Sequence, residues 1–137
     1  MSGTFEVGAV LDWDEFDHNR PPGAEKKDKL LLVVGAKQGY DFLLVLATTK
    51  QHKKTTTPGC NAKDGYYYIP KEQRDFFNEN TWLLLSELKP ATAAIVVAGG
   101  MKKTIRVLGS LKPETARAVI NCIKQIQDVS PYHLSLL

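Results

Sequence analysis

Two groups of lysines stand where chemistry on a polyanion could begin. Lys26, Lys27 and Lys29 close one polar segment, and Lys50, Lys53 and Lys54 open another. Thr48, Thr49, Thr55, Thr56 and Thr57 are interleaved with the second group, and Tyr66-Tyr67-Tyr68 follows shortly after. Lysines and hydroxyls hold phosphate oxygens, and aromatic faces stack unpaired bases. The combination reads as a surface for single-stranded RNA built from Lys27, Lys50, Lys53, Lys54 and Tyr67. The same residues suit a plainer role, in which solvated lysines keep the chain soluble and tyrosines cover a sheet edge.

Other chemistries have less to stand on. Cys60 follows Gly59 and has His52 in the same segment, but a Cys/His pair needs contact and an orienting third group. There is no Gly-x-Ser-x-Gly elbow for a serine hydrolase, and no glycine-rich phosphate loop. His18, His52 and His133 are scattered, without metal-ligand spacing. The acids Asp12, Asp14, Glu15 and Asp17 could hold Mg²⁺ beside a substrate phosphate, although acids at a strand end are ordinarily solvated. No metal site and no cofactor is expected.

These side chains need a scaffold, and hydrophobic periodicity outlines one. Residues 5–12 alternate as a strand, with Phe5, Val7, Ala9 and Leu11 on one face. Residues 13–28 break the pattern and carry Pro21-Pro22-Gly23, so they read as a long loop. Residues 29–35 and 40–49 are near-continuous apolar runs joined through Gly35 and Gly39. Continuous rather than alternating character implies strands covered on both faces, as in a curled barrel. If these two pair as a hairpin, both lysine groups converge on one rim.

A second loop is expected over residues 50–64, then a short strand over 65–69, a Pro70-initiated helical turn to Phe77, and a strand over 81–88. Residues 93–97 and 104–108 flank Gly99-Gly100 like a closing hairpin. The last element is an amphipathic helix. Pro113 suits its first turn, and Ala116, Val119, Ile120, Ile123 and Ile126 form one apolar stripe that Ser130-Pro131 ends.

At 137 residues, 43% hydrophobic and 24% charged with net charge +3, the chain suits one domain and is not disordered. The expected domain is 1–137, mainly β, with a barrel of strongly bent antiparallel strands over about 5–109 and a C-terminal helix over about 112–128. No apolar run approaches the ~20 residues of a membrane span. The N-terminus has no basic region or apolar signal core, so a cytoplasmic location and no membrane partner are expected. Cys60 and Cys122 are then expected as two reduced thiols.

The order of pieces resembles the PemK/MazF-like toxin superfamily. The matching strings are VGAVLDWD (7–14), KDKLLLVVG (27–35), LLVLATTKQ (43–51), TWLLLSEL (81–88) and VLGSL (107–111) before the terminal helix. The resemblance implies an SH3-like barrel, a homodimer, and metal-independent endoribonuclease action on single-stranded RNA through attack of the 2′-hydroxyl. It also implies a cognate antitoxin with an extended segment laid on the barrel.

Family members use an arginine just before a proline at the start of the second strand, and a Ser or Thr closing the third. Here Thr48 or Thr49 closes the third strand, Thr49 being favoured by its place before Lys50-Gln51. Lys29-Leu30 stands in place of Arg-Pro, whereas Arg20-Pro21 lies nine residues earlier. The roles carried over are transition-state charge for Lys29, a supporting hydrogen bond for Thr49, and His18 or Asp17 as base. The alternative is a non-catalytic SH3-like barrel that binds protein or nucleic acid on the same rim.

Overall fold

The computed structural model describes residues 5–16, 27–51, 54–126 and 129–137. The strands are β1 (Ala9–Phe16), β2 (Lys27–Gly35), β3 (Phe42–Thr48), β4 (Gly59–Asn61), β5 (Tyr66–Ile69), β6 (Thr81–Ala91) and β7 (Ile105–Ser110). Among the described residues there are three α-helices, α1 (Ala93–Met101), α2 (Pro113–Gln125) and α3 (Pro131–Ser135), and the helical turn expected from Pro70 to Phe77 is a 3₁₀ turn at Lys71–Gln73. All seven strands form one antiparallel sheet in the order β4-β5-β6-β3-β2-β1-β7. The mainly-β fold with a C-terminal helix is therefore as expected, but β4 and β7 do not pair with each other, so the sheet is open. It is strongly curled nonetheless. The Lys112 N–H donates to Asp75 Oδ1 at 3.0 Å, and a Cβ on Gly109 of β7 would lie 2.8 Å from the Phe76 ring. The segment after β5 thus reaches across to the end of β7.

The continuous apolar strands sit at the centre because both faces of the sheet are covered. From β2, Leu32 and Val34 point inward with Val45, Leu83 and Leu85, against Val119, Cys122 and Ile123 of α2. Leu31 and Val33 point outward with Leu11, Leu44 and Ile105. All four β2 residues are fully buried. Fully burying one aliphatic side chain is worth about 1.5–3 kcal/mol, so β2 anchors both layers. α2 shows the expected stripe, except that Ile120 is only half-buried, Ile126 lies half-buried past the helix end, and Cys122 takes the fully buried place beside Val119 and Ile123.

Several expectations need correction. The strand expected over residues 5–12 is β1 at Ala9–Phe16, and the loop expected over 50–64 carries β4 at Gly59–Asn61. Residues 93–97 are helix, not the arm of a hairpin. Thr92 caps α1, its Oγ1 accepting from Ile95 N at 3.2 Å, and Ala93, Ala94 and Ala98 favour helix. The loop expected from residue 13 begins later, since β1 runs to Phe16 and β2 starts at Lys27; residues 17–26 lie outside the described set. Cys60 and Cys122 are joined in a disulfide, with Cα atoms 5.5 Å apart. The curl that lays α2 against β4 brings them together, which their separation along the chain could not reveal.

Candidate nucleic-acid interface

β-sheet register decides which of the chemically useful residues meet. Trp13 of β1 pairs with Lys29 of β2, and Leu30 pairs with Ala47, so the next position sets Lys29 opposite Thr48. Thr48 pairs in turn with Trp82 of β6, and Trp82 with Tyr68 of β5. Directly paired residues in an antiparallel sheet share a face. Trp13, Lys29, Thr48, Trp82 and Tyr68 therefore form one row across five strands on the outer face. Neighbouring strands lie about 4.8 Å apart, so Lys29 and Trp82 are roughly 10 Å apart along the row.

Lys29 is exposed and Thr48 is half-buried. Thr48 Oγ1 accepts from Lys50 N at 3.1 Å, a local turn that ends β3 and fixes the hydroxyl. With its oxygen so engaged, the Thr48 hydroxyl still carries a proton to donate. Thr49, favoured from sequence, lies beyond β3 and outside the row; Thr48 is the hydroxyl that register sets beside Lys29. Lys50 is exposed just past the strand end. Lys54 is half-buried, its Nζ donating to the carbonyls of Lys50 and Gln51 at 3.4 Å each. It borders a hollow of about 710 Å³ with Thr55, Asp64 and Tyr66. Lys27 pairs with Phe16 through the backbone. Lys53, Asp17, His18 and His52 lie outside the described residues.

The tyrosine run divides between faces. Tyr67 points into the inner core beside Ile69, Leu83 and Val119, so it is not an accessible stacking surface. Burial, and secondarily the charge of Asp75, push its phenol above the ordinary 10.0. Tyr66 and Tyr68 belong to the outer face with Trp82. Tyr68 and Trp82 stack at 4.7 Å with planes 24° apart. Burial, then the charge of Glu72, raises the Tyr68 pKa as well. Thr55, in the segment that leads into β4, is tied to this group. Thr55 N donates to Tyr66 Oη at 2.7 Å, and Trp82 Nε1 donates to the Thr55 carbonyl at 3.0 Å.

Trp13 and Trp82 were missing from the sequence-derived site. The period-2 alternation of strands was the signal that could have separated Tyr67 from Tyr66 and Tyr68. Of the acids near β1, Asp12 is engaged by Arg106, Oδ2 to Nη2 at 2.6 Å, which ties β1 to β7. Cys60, held in the disulfide, has no thiolate to offer as a nucleophile. A separate hollow of about 610 Å³ lies between the β4–β5 turn and α2, but Asp64 and Glu87 there offset Lys63, so it offers a polyanion little.

No protein-family model and no curated protein matches the chain. Among the described residues, no helix is long and apolar enough to cross a membrane.

Proposed function

We propose that this chain is a PemK/MazF-like protein that binds single-stranded RNA along the Lys29–Thr48 row and acts as a divergent, metal-independent endoribonuclease of a toxin–antitoxin system. The observation that carries the reading is the register that sets exposed Lys29 beside Thr48 on one face, with Trp13 and Trp82 next in the row on either side. In the reaction the 2′-oxygen bonds to the adjacent phosphorus while the bond to the 5′-oxygen breaks. The 2′-hydroxyl gives its proton to a base, and the departing 5′-oxygen takes one up. Lys29 meets charge as it develops on the non-bridging oxygens, and Thr48 donates a hydrogen bond to one of them. An ammonium is a point charge where the family's guanidinium is a fork, so cleavage is slower than the family norm. Induced expression in a bacterium tests this. Growth arrest with new site-specific RNA ends supports it, and unaffected growth with unchanged ends contradicts it.

Two partners follow from the same reading: a cognate antitoxin and a second copy of the chain. The homodimer is supported by α1. Its Val96 and Gly99 are buried, whereas Ala93, Ala94, Ile95, Val97, Ala98 and Met101 are all exposed and all apolar, Met101 being 81% exposed. That is an apolar patch of several hundred Å² by order of magnitude, the scale that marks interaction sites. It suits the centre of an interface of about 800 Å² per copy. Light scattering on wild type and Met101→Glu should show a dimer and a monomer; a monomeric wild type at micromolar concentration contradicts it. The RNA substrate assigns the protein to the cytoplasm, where a disulfide is ordinarily transient or redox-sensing.

The second reading is a non-catalytic binding module. What favours it is that the row, among the described residues, carries no histidine or carboxylate to serve as base.

A further inference from the structure

The stacked pair Tyr68–Trp82 lies in the same row as Lys29 and Thr48, yet both rings are more than nine-tenths buried. Residues 55–58 are themselves exposed, and one hydrogen bond joins them to the pair, from Trp82 Nε1 to the Thr55 carbonyl, while the Thr55 N–H and hydroxyl meet the neighbouring Tyr66 Oη. Two aromatic rings placed beside a cation and a hydroxyl are what an unpaired base and its phosphate require. Here that platform is occupied by the protein's own chain.

What holds the strap is equally specific. It runs directly into β4, whose three residues pair with β5 alone at the sheet edge. Asn61 Nδ2 reaches back to the carbonyls of Thr57 and Gly59 at 3.0 and 3.1 Å, so strap and β4 move as one piece. The strong tether on that piece is the Cys60–Cys122 bond to α2. Cys122 is fully buried whereas residue Cys60 is exposed, so the β4 end is the side from which a thiol in solvent approaches the bond.

We propose that Tyr68 and Trp82 form a covered stacking site for an unpaired RNA base, opened when the Cys60–Cys122 disulfide is reduced and residues 54–58 lift away. The inference rests on the RNA-binding reading for its ligand. In the opening step one sulfur of a dithiol bonds to Cys60 Sγ, the Sγ–Sγ bond breaks, and Cys122 leaves as a thiolate that takes up a proton. The second sulfur of the dithiol then displaces Cys60, which also becomes a thiol. The protein gains two electrons and two protons, and the dithiol is oxidised to its disulfide. Without the cross-link, the strap is held only by a three-residue edge strand and the Thr55 hydrogen bonds, and it opens more readily. Lys29 and Thr48 keep their positions in the central ladders, so the phosphate-holding half of the site is present in both redox states.

Hydrogen exchange and RNA binding, measured on oxidised protein and after dithiothreitol, test this. The Trp82 indole N–H and the Thr55 amide should exchange at least tenfold faster after reduction, while amides in the centre of α2 stay protected. Affinity for a short fluorescent single-stranded RNA of mixed sequence should rise about tenfold, the contribution of one stacked base. Cys60→Ser should show the reduced behaviour without any reagent, and Tyr68→Leu should remove the gain. Unchanged exchange at Trp82 and Thr55 overturns the gate, as does equal RNA affinity in both states. Faster exchange with no RNA bound in either state instead overturns the RNA-binding reading and leaves the strap's release standing.

Discussion

Thr48 stands directly opposite Trp82 in the β3–β6 ladder, and register sets Lys29 directly opposite Thr48 on its other side. The strand positions that carry a cation, a hydroxyl and an indole are thereby held at fixed spacing. Because β2 and β3 are buried on both faces at their centres, the strands that carry this row are firmly held, whereas the lysines past the end of β3 sit on a connecting segment. Rigid placement matters for a group that must meet charge only as it develops.

The disulfide closes a segment of 62 residues. In the chain-entropy account a loop of that length contributes about 4 kcal/mol, and an engineered or strained one less. Cys60→Ser should therefore lower Tm by about 10 °C or more for a domain of this size. A shift under about 2 °C would mean that β4 is held independently of the cross-link.

Gly35 ends β2 where the C-terminal turn packs down. A Cβ there would run into the carbonyl oxygen of Leu136, a buried residue whose backbone has little room to yield. Gly35→Ala should cost about 1–3 kcal/mol by overpacking and free the last residues to proteolysis. Gly39→Ala meets no neighbouring atom and serves as the control, carrying only the strain of its positive φ. Gly35→Ala as stable as wild type would contradict this packing.

Alkaline stability should follow the tyrosines. Tyr67 is raised from 10.0 by burial and then by Asp75, and Tyr132 is raised by its 2.6 Å hydrogen bond to Asp41. The folded state thus keeps protons that the unfolded chain releases near 10. Its advantage is full below that pH and is lost as pH rises through the folded values. Urea midpoints should be level up to about pH 9 and fall by pH 11, less steeply in Tyr67→Phe. An identical fall in that variant would remove Tyr67 as a cause.

Particular residues show how much was legible in advance. The runs through Leu31–Val34 and Leu43–Val45 announced strands covered on both faces, because alternation was absent and the glycines between them set the turn. α2 was legible from its stripe and from Pro113. α1 was not, since an apolar run without polar interruption has no period to separate helix from strand. Lys29 and Thr48 could be placed on one rim from hairpin pairing alone. Trp82 could not, because it joins the row through the β3–β6 pairing, a contact 34 residues apart in sequence that no local pattern encodes. Tyr67 was assigned to the wrong face although alternation was available, and the Cys60–Cys122 contact depends on a curl that only the assembled sheet reveals.

Salt dependence should separate the lysines. Binding of single-stranded RNA should weaken with a log–log slope of about −0.7 per neutralised phosphate. Lys50→Ala should flatten the slope by about that amount, with sequence preference kept. Lys54→Ala should flatten it less, because its Nζ is turned onto the carbonyls of Lys50 and Gln51. Equal effects would show that Lys54 leaves those carbonyls when RNA binds.

The central claim is that Lys29 acts on the scissile phosphate. Single-turnover cleavage of a single-stranded RNA in EDTA, compared among wild type, Lys29→Ala and Lys29→Arg, addresses it most directly. Lys29→Ala should lose about 10²–10³-fold in rate while keeping most of its affinity, the signature of a group whose contribution comes in the transition state. Lys29→Arg should cleave faster than wild type, because its fork holds two phosphate oxygens. Equal rates in all three, or RNA bound and left intact by wild type and Lys29→Arg alike, would contradict the nuclease account.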